Sequence, residues 1–128
     1  MSYEYVFYTP KYKQLDKGLI EVKVPLLPCA FECTARDGSR FYIVAGDEET
    51  KNFVQKMVES DREHLAVPEL VDQVTIECDK VWVSCCGSAN EALRMFCTWL
   101  VDEFGCLIED EFDSPSSLEE MFPPLAQR

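Results

Sequence analysis

The stretch VWVSCCGSANEALRMFCTWLVDEFGCLIED, Val81–Asp110, reads as strand, tight turn, helix, glycine stop and strand. Val81, Val83 and Cys85 alternate with Trp82 and Ser84, the two-residue period of a β-strand. Gly87 breaks the run. Ser88 and Glu91 have the spacing of a capping box, in which side chains and amides at a helix start satisfy one another. Leu93, Phe96, Trp99, Leu100 and Phe104 then recur at helical spacing, predicting a helix over Ala89–Phe104 that packs on a sheet. Gly105 stands where the residue after a helix adopts positive φ. Cys106, Leu107 and Ile108 resume an apolar strand that runs to Asp110.

Upstream of this stretch, Tyr3–Tyr8 alternates and predicts a strand with Tyr3, Tyr5 and Phe7 on one face. Thr9–Lys17 is polar and reads as a loop. Leu19–Val24 reads as a second strand, closed by Pro25 and Pro28. Cys29–Ala35 and Arg40–Ala45 flank Asp37-Gly38, a pair that tolerates the positive φ of a hairpin turn. The first 45 residues therefore predict a four-stranded meander. Asp47 caps a helix with Glu48 and Glu49 in its first turn, and Phe53, Val54, Met57 and Val58 give that helix an apolar face. Ser60–Pro68 is a polar exit, and Glu69–Asp72 reads as a single helical turn. Val74, Ile76 and Cys78 alternate as a strand, and the change of phase at Asp79-Lys80 predicts a hairpin there over a bulge. Downstream, Ser116 and Glu119 form a second capping-box pattern, predicting a short helix stopped by Pro123 and Pro124. The expected fold is one α+β domain over residues 1–128: a mainly antiparallel sheet, two principal helices packed on one face, and a short C-terminal helix.

Composition narrows the function classes. The chain has 128 residues, enough to bury a core without staples, with 47% hydrophobic and 28% charged residues. No apolar run approaches the about 20 residues of a membrane span, so no membrane association is expected. The opening MSYEYVFYTP has no basic n-region and no uninterrupted apolar core; no signal peptide is read and a cytoplasmic location is expected. The seven cysteines are odd in number and mostly lie in apolar strand or helix patterns, so all seven are read as reduced, structural core residues. A net charge of −12 argues against nucleic acid as a partner, because phosphate needs clusters of Lys and Arg.

The catalytic patterns fail one by one. Cys85 and Cys86 precede Gly87-Ser88 and a helix start, the place of a phosphatase nucleophile. That chemistry needs an arginine about six residues on, where Glu91 and Ala92 stand. A cysteine–histidine pair would have to use His64, the only histidine, in the charged segment DREH. Cys29 and Cys33 form no CxxC pair, being four apart on one face of an expected strand, and 109–113 lacks the glycine and the spacing of an EF-hand loop. Twenty-four acidic residues select no catalytic pair, and the five glycines sit singly, not in a phosphate loop. No enzyme, cofactor or metal is expected. The alternatives kept are a small enzyme or ligand-binding domain using Cys86, and an adaptor or chaperone that binds an unfolded segment of a secreted protein.

Charge distribution is more telling. Met95–Gln127 contains no Lys or Arg. It carries Asp102, Glu103, Glu109, Asp110, Glu111, Asp113, Glu119 and Glu120, interleaved with Phe104, Phe112, Leu118, Met121 and Phe122. Carboxylates steer a cationic protein and apolar anchors hold it. The candidate contacts are Asp102, Glu109, Asp110, Glu111, Asp113, Glu119 and Glu120, with Phe112 and Phe122 as anchors. A solvated acidic surface over core-facing apolar residues would read the same way. Self-association is left open.

The segment LVDEFGCLIEDEFD, a helix ending in glycine followed by an apolar strand and an acidic stretch, resembles segments of bacterial immunity proteins from toxin–immunity pairs. These include partners of type VI secretion effectors. The resemblance covers about a third of the chain. It implies a small α+β antitoxin that binds a cognate toxin and masks its active site. It also implies a toxin acting in the cytosol, such as a nuclease or nucleotide-modifying enzyme, whose basic substrate cleft an acidic inhibitor would fill.

Overall fold

The computed structural model describes residues 3–10, 14–35, 37–60, 71–86 and 90–123. Six strands form one sheet: β1 (Tyr3–Tyr8), β2 (Ala30–Thr34), β3 (Arg40–Val44), β4 (Asp72–Ile76), β5 (Lys80–Cys85) and β6 (Leu107–Asp110). Their spatial order is β2-β3-β4-β5-β1-β6, and every neighbouring pair is antiparallel. The helices are α1 (Lys17–Lys23), continued by a 3-10 turn at Val24–Leu26, then α2 (Glu48–Ser60), α3 (Glu91–Phe104) and α4 (Leu118–Met121). The α+β class and the antiparallel sheet are as expected.

The meander is displaced along the chain. It comprises β2 to β5, while β1 inserts between β5 and β6. The expected strand at Leu19–Val24 is α1. Asp16 caps it, its carboxylate accepting the Leu19 amide at 3.0 Å, and Ile20 and Val24, one helical turn apart, are fully buried. Alternation in this run was shared by two periods, and the cap together with that buried pair selected the helix. The hairpins are where turn chemistry puts them. Asp37-Gly38 joins β2 to β3 with Gly38 at φ 87°. The β4–β5 turn is centred on Cys78-Asp79, one residue earlier than expected, closed by the Glu77 amide on the Lys80 carbonyl at 2.9 Å.

Register divides the sheet into two faces. Tyr42, Val74, Val83, Tyr5 and Asp110 are aligned across five strands on the first face. That face carries the main core, in which Phe7, Val44, Val81 and Val83 meet Ile20 of α1, Leu93, Phe96 and Leu100 of α3, and Met121 of α4. Ile43 and Cys33, on the opposite parity, form a second core with Val54 and Val71, against which Met57 and Val58 pack. The two principal helices thus cover opposite faces, α3 the first and α2 the second. The expectation of one shared face fails because period-2 strands with apolar residues on both parities can be covered twice. Phe53, expected on the packed face of α2, points outward and is 63% exposed.

The helix ends also differ in detail. α3 starts at Glu91 with Asn90 as its cap, not at Ala89; Ser88 of the expected capping box lies outside the described residues. Gly105 ends α3 in the left-handed region at φ 66°, as expected. α4 is capped by Ser117, whose hydroxyl accepts the Glu120 amide at 3.2 Å, one residue later than Ser116–Glu119 predicts. Asp47 caps α2 by accepting the Thr50 amide at 2.6 Å. Asp72 opens β4, so it belongs to no helical turn; 61–70, including His64, lies outside the described residues.

No cysteine is in a disulfide. Cys33, Cys85, Cys97 and Cys106 are buried, and burial pushes their thiols up, Cys33 and Cys106 to about 11 and Cys85 to about 12. The core expectation fails at three of the seven: Cys78 sits exposed because it falls on the β4–β5 turn, past the end of the strand, and Cys29 and Cys86 are half-buried beyond the ends of β2 and β5. A thiol reagent at neutral pH is therefore expected to modify Cys78 first in the native protein and to count seven thiols after denaturation without reductant. A count below seven would show disulfides and overturn the reduced assignment.

Candidate functional site

Strand alternation separates the acidic residues that are adjacent in sequence. Asp110 lies on the first face beside Tyr5. Glu109 lies on the second, where its carboxylate accepts the Tyr8 hydroxyl at 3.1 Å. Partial burial and this carboxylate both raise the Tyr8 pKa. Asp102 on α3 and Glu119 and Glu120 on α4 are exposed, and both helices lie on the first face. Glu120 also accepts the Ser116 hydroxyl at 2.9 Å. Phe122, expected as an exposed anchor, is half-buried against the main core.

What the structure does assemble is a rigid loop at 110–115. Asp110 Oδ1 accepts the amides of Phe112 at 2.9 Å and Ser114 at 3.0 Å. The Asp110 amide donates to the Ser114 carbonyl at 2.8 Å, the Ser116 amide to the Ile108 carbonyl at 2.9 Å, and Glu109 bridges to Pro115. Asp113 takes φ 62°, a left-handed conformation that Asp tolerates better than most residues. Asp110 is therefore the loop's internal clamp. Glu111, Phe112 and Asp113 form its tip, and Phe112 is 79% exposed. A loop whose backbone is held by hydrogen bonds loses less entropy on binding than a mobile one.

The second place where polar groups converge is the start of α3. Asp72 is 4% exposed. Its two oxygens accept the Cys86 amide at 2.7 Å and the Asn90 side-chain amide at 2.9 Å. Asn90 also donates to the Val44 carbonyl at 2.8 Å and accepts the Leu93 amide at 3.1 Å. This knot ties β3, β4 and β5 to α3. Sequence reasoning passed over both Asp72 and Asn90; the only trace was an Asn one residue before Glu91, a cap residue in its own right. Burial raises the Cys86 thiol, and the Asp72 carboxylate raises it further. A helix start can activate a cysteine, but here a carboxylate opposes the thiolate, so Cys86 is poorly placed as a nucleophile.

No family model, no curated protein and no solved structure matches this chain. Among the described residues, no three His, Cys, Asp or Glu side chains are grouped to hold a metal ion. No described helix is long and apolar enough to cross a membrane.

The knot has a pH signature. Burial lifts the Asp72 carboxyl above its ordinary 3.8, outweighing the hydrogen bonds that favour its charge. A carboxyl raised on folding contributes most to stability when protonated. That contribution is full below pH 3.8 and is lost as pH rises through the folded-state value. Asp37 and Asp47 are held low by hydrogen bonds from Ser39 and Thr50. In a carboxyl-carbon NMR titration, Asp72 is expected to titrate last of the three. Titration at or below Asp47 would sink this account.

Proposed function

We propose that this chain is a small acidic immunity-type protein that binds a basic toxin and occludes its substrate cleft. The observation that carries the reading is the tip Glu111–Phe112–Asp113. An exposed aromatic stands between two carboxylates on a loop that the Asp110 clamp holds in shape. A protein that acts on nucleic acid or nucleotides needs a positive cleft for phosphate. Carboxylates can occupy that cleft in place of phosphate, and an aromatic ring can stack where a base would lie. The raised thiol of Cys86 supports a binding role over the enzymatic alternative.

The test is a pull-down and growth-rescue assay with the product of the neighbouring open reading frame. Phe112→Ser combined with Glu111→Gln is expected to weaken binding at least tenfold. The thermal midpoint should stay unchanged, since both side chains are exposed. Added salt should slow association far more than it speeds dissociation. If the double variant binds and protects as well as wild type, the loop is only a solvated turn and the reading is wrong.

A further inference from the structure

Among the described residues, the second face of the sheet carries a cleft over β5, β1 and β6. Val6 and Tyr8 of β1, Trp82 of β5 and Glu109 of β6 meet Asp79 and Asp113 around a cleft of about 290 Å³ lined by strands and turns only. Trp82 and Tyr8 give it an aromatic floor, and three carboxylates surround it. Among the described residues the one cation in the lining is Lys80, whose ammonium lies 5.6 Å from the Trp82 ring centre and 3.9 Å from Glu77. The ring thus already carries a positive group, supplied by the chain itself. The loop of the Asp110 clamp contributes Asp113 to the cleft wall.

We infer that this cleft receives an arginine side chain of the basic partner. The guanidinium stacks on Trp82, sharing or displacing Lys80, and donates to Glu109 and Asp113. A planar guanidinium fits because it stacks on an aromatic ring while donating in its own plane to carboxylates at the edge. A second copy of this chain would bring another −12 charge to an acidic rim and is disfavoured. The inference rests on the reading of a basic partner. It is tested with a peptide alone, so its failure and failure of the neighbouring-gene assay are separate results.

The probe is acetylated tri-arginine amide, with tri-citrulline amide as its uncharged counterpart. Binding is read by Trp82 emission in a Trp99→Phe background, which leaves Trp82 as the sole tryptophan. Glu109→Gln keeps an oxygen for the Tyr8 hydroxyl, and Asp113→Asn tolerates the left-handed φ, so the double variant should fold. Tri-arginine is expected to change Trp82 emission saturably, and tri-citrulline is not. The Glu109→Gln/Asp113→Asn variant should bind at least tenfold more weakly. Glu49→Gln/Glu59→Gln on α2, with the same change in net charge, should shift affinity less than twofold. Equal weakening in both pairs would mean diffuse attraction, and equal response to the two peptides would mean no charge recognition. Concentration-dependent dimerisation that shields Trp82 would assign the face to a second copy. Each of these overturns the inference.

Discussion

Replacing Phe96 with alanine is expected to lower the unfolding free energy by about 3–5 kcal/mol, the cost of deleting a large ring from a packed core. Phe96 is fully buried on α3, against the face built by Phe7, Val81 and Val83. Its ring stacks on Trp99 at 6.1 Å between centres. Removal leaves a cavity that helix and sheet can only partly close. A domain of this size has a total stability of about 5–15 kcal/mol, so the variant should sit near its folding limit at 37 °C. Trp99→Ala should cost about half as much, because Trp99 is only partly buried and sits at the core margin with Phe104 at 5.3 Å and Lys23 over its ring. Urea denaturation of the two variants checks the ranking. An unchanged midpoint for Phe96→Ala would mean that α3 does not pack on the sheet as described.

Asn90→Ala is expected to cost about 3–4 kcal/mol, although it deletes no apolar surface. The helix cap on Leu93 contributes about 1 kcal/mol. The rest comes from removing a donor to the Val44 carbonyl and the Asn90 donor to the buried Asp72 carboxylate, where a lost bond to a buried acceptor costs about 1–3 kcal/mol. Asp72→Ala should be comparably severe, because it removes the acceptor for the Cys86 amide and for Asn90. The two losses should not add. With both partners gone, fewer buried groups remain unmatched, so the double variant should lie well short of the summed single effects. Additive losses in a denaturation cycle would show that Asp72 and Asn90 act independently.

The same knot gives Cys86 a structural partner. Cys85-Cys86-Gly87-Ser88 at the entrance to a helix reads as reactive chemistry. In the folded chain both the amide and the thiol of Cys86 are hydrogen-bonded to Asp72, which fixes the cysteine against that carboxylate. The acidic interval behaves in the same way. Along the chain, 109–113 is one block of charge. In space Glu109 and Asp110 point to opposite faces, and Asp110 spends its carboxylate on the loop. Phe112, singled out by composition, is left standing clear of the core, while Phe122 is drawn against it.

The sequence by itself determined the α+β class, the Asp37-Gly38 hairpin, the Asp47 cap of α2 and the Gly105 stop of α3. Each of these depends on residues within a few positions of one another, where turn geometry, capping and hydrophobic period act directly. Only the tertiary structure decided that Leu19–Val24 winds into a helix, that β1 lies between β5 and β6, and that α2 and α3 cover opposite faces. It also decided that Asp72 meets Asn90 across 18 residues of chain and that Asp113 and Trp82 line one cleft. These outcomes rest on pairings between distant segments. The free energy that selects them comes from burying both parities of the strands at once, a quantity no short window of sequence contains.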